Sequence, residues 1–286
     1  NFAWFEVATT SCNLSCQHCY LGNSSQKDLR SKITYEAWQN VIEDAWKCGI
    51  DKCQFIGGEP FLFGYPGKDL LNLCEFATEK GFNTVEIFTN LQLVDEKAIS
   101  RMKDLEVKVA TSLYSVSPEV HDSITRQKGS YEKTLNAIKV LRQFDLEVRV
   151  ELVLMSLNQG TLNETLKFLD GLGVRYRNPD PVRPTGFGGD ATLIPDFDYL
   201  YKYGYQTKPN FVTSEKKFFS NLRCNPCLSS KIVVTEHGDV LPCVFSRKTI
   251  LGNIVEYNLE DILSSDEAVK VRLMNKDEIL VCKDCE

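Results

Sequence analysis

The stretch "AWFEVATTSCNLSCQHCYLG", residues 3–22, runs from an aromatic and β-branched segment straight into three cysteines, Cys12, Cys16 and Cys19. The segment ahead of them is short enough for a buried strand. Thiolates separated by three residues and then two can converge on one face of an iron–sulfur cube. A structural zinc site asks for four protein ligands, and here three thiols are local, with His18 as a candidate fourth. On a four-iron cluster, three protein ligands leave one iron open to an outside ligand.

Outward from that loop, strand-like and helix-like segments alternate to about residue 178. Strand candidates are "AWFEVAT", "KCQFIGG", "TVEIFT", "EVKVATSL", "EVRVELVLM" and the shorter "VRYR". Between them lie amphipathic stretches such as "TYEAWQNVIEDAWKCG", with an N-cap at Thr34 and a stop at Gly49, and "YEKTLNAIKVLRQFD", which follows Ser130. Six such repeats predict a parallel α/β sheet or a partial barrel. Ligands of such sheets bind at the carboxyl ends of the strands, which is where the cysteine loop falls. Residues 179–223 read as a Pro- and Gly-rich connector. Beyond it, "SKIVVTEHGDVLPCVFSR" predicts a β-hairpin turning at His237–Gly238–Asp239. A single amphipathic helix is expected in "NLEDILSSDEAVKVRLMN", leading to "VCKDCE".

The 286 residues are 43% hydrophobic and 25% charged, enough for a substantial core. A net charge of −6 without a basic run argues against nucleic-acid binding, and no apolar run is long enough for a membrane helix. Eleven cysteines in so long a chain point to metal thiolates rather than disulfides, and to a reducing, cytoplasmic setting. Cys48, Cys53 and Cys74 lie on apolar faces and read as small hydrophobes. His121 and His237 read as turn or cap residues. The aromatic "YLYKYGYQ" reads as helix packing, while Arg183 and Asp190, in the connector, are candidates to touch substrate.

With CxxxCxxC after the first strand, "GGEP" (Gly57, Gly58, Glu59, Pro60) after the second, "FTNL" ending the third and "ATSLYS" ending the fourth, the chain resembles the radical S-adenosylmethionine (SAM) enzymes. The resemblance implies a partial (β/α)6 barrel over residues 1–178. It implies a 4Fe–4S cluster on Cys12, Cys16 and Cys19 whose open iron is chelated by SAM. Reduction of that cluster cleaves SAM to a 5′-deoxyadenosyl radical, which abstracts hydrogen from substrate. By the same resemblance Glu59 and its turn hold the methionine amino group, and Thr89, Asn90 and Ser112 touch ribose or carboxylate. Arg126, in "HDSITRQKGSY", meets the methionine carboxylate, its alternative being a surface ion pair. Val153, between Leu152 and Leu154, flanks the adenine, which His18 faces.

The tail reads Cys224-x2-Cys227-x15-Cys243-x38-Cys282-x2-Cys285, with Gly238 five residues before Cys243. This resembles the SPASM and twitch extensions of the same enzymes and implies at least one auxiliary 4Fe–4S cluster in residues 224–286. The expected ligands are Cys227, Cys243, Cys282 and Cys285. Cys224 is then a substitute ligand or a free, catalytic thiol. A zinc ribbon is the alternative for this tail. The final cysteine stands one residue from the end, so the expectation is either a one-cluster twitch protein or a chain continuing beyond this point. Relatives with such tails epimerise or crosslink ribosomally made peptides, oxidise enzyme side chains, or act on aminosugars and other small molecules. Peptide modification is the leading expectation, with a flavodoxin- or ferredoxin-type electron donor. The first strand begins within a few residues of Asn1, which weakens the expectation of leader-peptide recognition in cis; a separate leader-peptide-binding protein, or a segment preceding this sequence, would supply it. A noncatalytic electron-transfer protein or zinc-binding module is the reading from another class. On anaerobically reconstituted protein we expect about eight irons and eight acid-labile sulfides per chain, falling to about four each when Cys12, Cys16 and Cys19 are all replaced by alanine. About four falling to none would remove the auxiliary cluster from this reading.

Overall fold

The computed structural model describes residues 1–22, 30–203 and 230–274. Cys224, Cys227, Cys282, Cys285 and the end of "YLYKYGYQ" lie outside the described residues.

Six parallel strands form where the sequence places them: β1 (Phe2–Glu6), β2 (Lys52–Ile56), β3 (Thr84–Phe88), β4 (Lys108–Ser112), β5 (Val148–Glu151) and β6 (Arg175–Tyr176). Each is hydrogen-bonded to the next in chain order. The crossovers run through α1 (Tyr35–Lys47), α2 (Leu70–Lys80), α3 (Glu96–Asp104), α4 (Pro118–Thr125) with α5 (Ser130–Gln143), and α6 (Leu162–Leu172). Thr34 caps α1 as expected, its hydroxyl accepting from the Ala37 N–H at 3.2 Å. Trp38, Val41, Ile42 and Ala45 form the buried stripe of α1, a spacing that puts them on one face. Trp38 meets Phe5 of β1 edge-on at 6.1 Å.

Alternate residues of the strands have opposite fates, as the pleat requires. Cys53 and Phe55 of β2, Val85 and Ile87 of β3, and Val148 and Val150 of β5 join the core beneath the helices. Their neighbours Gln54, Glu86, Arg149 and Glu151 line a cavity on the other face. The sheet is therefore a barrel wall with one dry and one polar side.

The expected hairpin is present as β7 (Lys231–Thr235) and β8 (Asp239–Leu241), antiparallel, with Gly238 at φ 86° in the turn. Asp239 belongs to the strand rather than the turn. A further short strand, β9 (Gly252–Asn253), pairs with β8. The pairing of β7 had no counterpart in the sequence reading: it lies parallel to β1, from Phe2 opposite Lys231 to Glu6 opposite Thr235. Among the described residues the sheet thus has nine strands, in the order β9-β8-β7-β1-β2-β3-β4-β5-β6.

The described part of the connector carries short elements: Asp180–Pro181 pairs with Val153–Leu154, two 3₁₀ turns follow, and α7 (Phe197–Lys202) packs Tyr199 against the core. One local expectation needs correction. The single C-terminal helix is two, α8 (Leu259–Ser264) and α9 (Asp266–Leu273). Ser265 is extended between them, and its hydroxyl accepts from the Ala268 N–H, capping α9. A serine inside an amphipathic pattern competes for backbone donors and here starts a new helix. Among the described residues no helix is long and apolar enough to cross a membrane.

Because β7 shares a sheet with β1, the hairpin and the barrel should melt as one unit. We expect Val234→Ala, at a fully buried site, to lower stability by roughly 2 kcal/mol. Far-ultraviolet dichroism and tryptophan fluorescence should give coincident transitions in parent and variant. Two separated transitions would contradict a shared sheet.

Candidate functional site

A cavity of about 930 Å³ runs along the polar face of the barrel. Cys12, Cys16 and Cys19 line it at the carboxyl ends of the strands, together with Gly57, Gly58, Thr89, Asn90 and Ser112. The loop carrying the thiols is held by backbone contacts on several sides. Glu59 N donates to Ser11 O at 2.9 Å, Ser15 N and Gln17 N donate to Thr125 O and Ile124 O, and Phe187 N donates to Cys19 O. Two glycines permit this closeness. A Cβ on Gly58 would lie 2.1 Å from the carbonyl oxygens of Ala8 and Ser11, and one on Gly186 2.4 Å from those of Cys19 and Tyr20. Both glycines have positive φ.

The three thiols are electrostatically coupled. Burial first, then the neighbouring Cys19 and Cys12, push the Cys16 thiol up to about 12. Burial likewise raises Cys12, with Cys19 and Glu59 adding to the rise. A cation standing among the thiols would offset the burial that opposes ionisation of Cys12 and Cys16. His18 shows the second unmet demand. Its ring packs edge-on against Tyr114 at 4.8 Å, burial lowers it to about 4, and its buried Nδ1 has no hydrogen-bond partner. Coupled thiolate ligands and a polar atom lacking a partner, both at a cavity wall, fit a bound iron–sulfur cluster with a polar molecule beside it. Among the described residues no three His, Cys, Asp or Glu side chains already close on a point as around a single metal ion.

The remaining expected site residues divide. Leu152 and Val153 line the cavity, as does Arg183, which pairs with Asp180 at 2.8 Å and lies over the Phe245 ring. Glu59 faces away. Its carboxylate is buried and accepts from Thr89 Oγ1 (2.7 Å), Asn90 N (2.8 Å) and Phe61 N (3.1 Å). It thereby ties the GGEP turn, with Pro60 opening a 3₁₀ turn, to the end of β3. Arg126 is exposed at the left-handed C-cap of α4, outside the cavity lining. The acid of its motif, Asp122, accepts from Gly129 N, Ser130 Oγ and Tyr131 N and so fixes the start of α5. Asp190 caps a 3₁₀ turn on the surface. His121 is neither turn nor cap: it is buried on α4, and its Nδ1 accepts from Tyr114 N. His237 does stand in the hairpin turn, facing Ser31 O. Cys53 and Cys74 are fully buried, while Cys48 is half-buried at the C-cap of α1. Cys243 is half-buried, packed on Val233, Leu241 and Val244.

Sequence reasoning missed the cavity floor. Trp4 Nε1 donates to Gln54 Oε1 (3.0 Å), Gln54 to Glu86, and Arg149 to Glu86 (2.7 Å from Nη2) and to Glu151. This polar ladder crosses the sheet from β1 to β5. Its signal was present in "KCQFI", "TVEIF" and "VRVE", where polar residues alternate with apolar ones. Strands covered by helices on both faces would read as continuous apolar runs.

The family model described as the Radical SAM superfamily matches residues 7–169, and the SPASM iron–sulfur cluster-binding domain matches residues 224–286. The chain is 28% identical over 276 residues to the antilisterial bacteriocin subtilosin biosynthesis protein AlbA of Bacillus subtilis, covering 92% of this chain and 59% of AlbA. Streptococcus suis SuiB bound to S-adenosylmethionine superposes with a TM-score of 0.72 at 17% identity, covering 95% of this chain and 67% of that chain. SuiB has also been solved with its precursor peptide SuiA. Native anSMEcpe with bound S-adenosylmethionine gives 0.70 at 17% identity, covering 100% of this chain and 86% of that one. At such identities the likeness is one of fold.

Gly58→Ala should displace the cysteine loop while leaving every thiol in place. We expect loss of about four irons per chain with a lowered melting temperature. Undiminished iron would mean that the loop does not depend on this contact.

Proposed function

The chain belongs to the Radical SAM superfamily and ends in a SPASM iron–sulfur cluster-binding domain, and we propose that it is a maturase that removes a hydrogen atom from a ribosomally made peptide. Cys12, Cys16 and Cys19 would hold the cluster that SAM ligates, and Cys243, with tail cysteines, an auxiliary one. When bound, the first cluster supplies the electron that breaks a carbon–sulfur bond of SAM, whose adenosyl half leaves as 5′-deoxyadenosine after taking the substrate hydrogen. A flavodoxin- or ferredoxin-type donor restores that electron.

The observation that carries the reading is a cavity that joins the thiols to the polar floor. Its volume stands at the upper end of the roughly 300–1,000 Å³ of small-molecule sites, which leaves room for substrate beside SAM. Asn90 and Ser112 present polar groups beside the thiols. Asn90 is itself oriented by donating to Asn13 Oδ1 at 2.8 Å. Gln54, Glu86, Arg149 and Glu151 offer a peptide the hydrogen-bonding groups that an apolar barrel would deny it. Tyr20 meets Phe245 edge-on at 5.9 Å and Arg183 lies over the Phe245 ring, a wall next to Cys19 suited to an extended chain. The bacteriocin named for AlbA and the precursor peptide of SuiB support a peptide over a free small molecule.

The test uses reconstituted protein with a chemical reductant and SAM. We expect 5′-deoxyadenosine from the parent and none from Cys16→Ala. Among candidate precursor peptides co-expressed with the enzyme, a substrate should lose hydrogen in a crosslink or exchange a Cα hydrogen for solvent deuterium in an epimerisation. Cleavage of SAM stimulated by aminosugars, with no peptide altered, would overturn the peptide assignment.

A further inference from the structure

The cysteine loop is gripped at both ends by charged side chains from far along the chain. At its entry, Glu236, in the turn between β7 and β8, is buried to 1% exposure. Its Oε1 accepts from Thr9 Oγ1 at 2.6 Å and from Thr10 N at 2.5 Å. Its Oε2 pairs with Lys32 at 2.8 Å. At the loop's exit, Tyr20 directly follows Cys19 and donates its hydroxyl to Glu6 Oε1 at 2.9 Å. Glu6 has no exposed surface, and Arg247 Nη1 reaches both of its oxygens, at 2.8 and 2.7 Å. Arg247 also lies over the Tyr20 ring. Glu236 and Arg247 bracket Cys243, whose packing cluster includes Tyr20 and Trp4.

Neither carboxylate lines the cavity, so neither touches SAM or substrate there. Neither is a surface ion pair, since the acid in each case is fully enclosed. Charge-assisted hydrogen bonds in such places are short and directional, and a buried carboxylate accepting them fixes the groups that donate. Groups one step behind a metal's ligands orient those ligands and tune the metal.

We propose that Glu236 and Arg247 are positioning residues for the Cys12–Cys16–Cys19 loop, Glu236 by holding Thr9 and Thr10 and Arg247 by holding Tyr20 through Glu6. The segment that carries Cys243 thereby sets the geometry of the cluster that SAM ligates. The inference rests on the assignment of that loop to the cluster.

The experiment compares parent, Glu236→Ala, Arg247→Met and Arg247→Lys after anaerobic reconstitution, all well below their melting temperatures. Iron per chain is measured first. Electron paramagnetic resonance of the reduced protein is then recorded with and without SAM, because the difference isolates the cluster to which SAM binds. Release of 5′-deoxyadenosine without substrate is the third readout. Arg247→Met and Glu236→Ala should shift the SAM-dependent resonance and slow that release by about 10- to 100-fold, the usual effect of losing a group behind a metal ligand. Arg247→Lys, which keeps the charge at Glu6, should stay near the parent. Should Arg247→Met fail to fold, Glu236→Ala, which leaves Glu6 paired, carries the test. Variants with lower melting temperatures but an unchanged resonance and unchanged release would overturn the proposal and reduce both contacts to fold stability. A parent with no SAM-dependent resonance would instead overturn the cluster assignment itself.

Discussion

Where residue 58 would carry a Cβ, the carbonyl oxygens of Ala8 and Ser11 already stand. That contact of backbone on backbone is the constraint around which the rest is arranged. It brings the turn after β2 against the loop after β1, and it leaves the Glu59 N–H free to donate to Ser11 O. The carboxylate of Glu59 then has one direction left, toward β3, where Thr89 and Asn90 supply donors. Three strand ends are thus locked in series by a carboxylate that lies outside the cavity lining. Its oxygens are taken up by the protein, while the thiols, Gly57, Gly58, Thr89, Asn90 and Ser112 line the cavity.

The sheet makes a second division of labour along each strand. Positions under the helices are apolar and closely packed, which supplies the stability of the barrel. Positions on the other face are Gln, Glu and Arg, satisfied by one another across the strands. Such a ladder adds little to stability compared with apolar packing, because desolvation offsets much of what the ion pairs contribute. Its value lies in keeping polar groups ordered inside a cavity that a substrate must enter.

Most of this architecture was legible from local signals. The strands announced themselves by β-branched and aromatic runs, α1 by Thr34 and Gly49, and the site by three cysteines and GGEP. What escaped had a common physical origin: it depended on partners distant in sequence. No local pattern says that "KIVVT" will pair with "FAWFE", or that Glu236 will meet Thr9. Asp122 and Arg126 show the same limit from the other side. They share a motif six residues long, yet one caps a helix and the other stands exposed at a helix end, because left-handed backbone at Arg126 turns it outward. The alternation of polar and apolar residues in the strands was local and could have been read. It was passed over because the strands stand out by their β-branched and aromatic residues and their length, without regard to alternation.

The pairing of β7 with β1 sets an order of events. Thr9 waits 227 positions for Glu236, and Glu6 waits 241 for Arg247. During synthesis β1 and the cysteine loop leave the ribosome well before β7 and its turn, so one edge of β1 and both ends of the loop lack these supports until residues 231–247 have followed. Contacts of such separation form late. The thiols are therefore made before the structure that arranges them. Iron and sulfide delivered to this loop meet its final geometry only after the hairpin has docked, and the thiols have to be kept reduced until then.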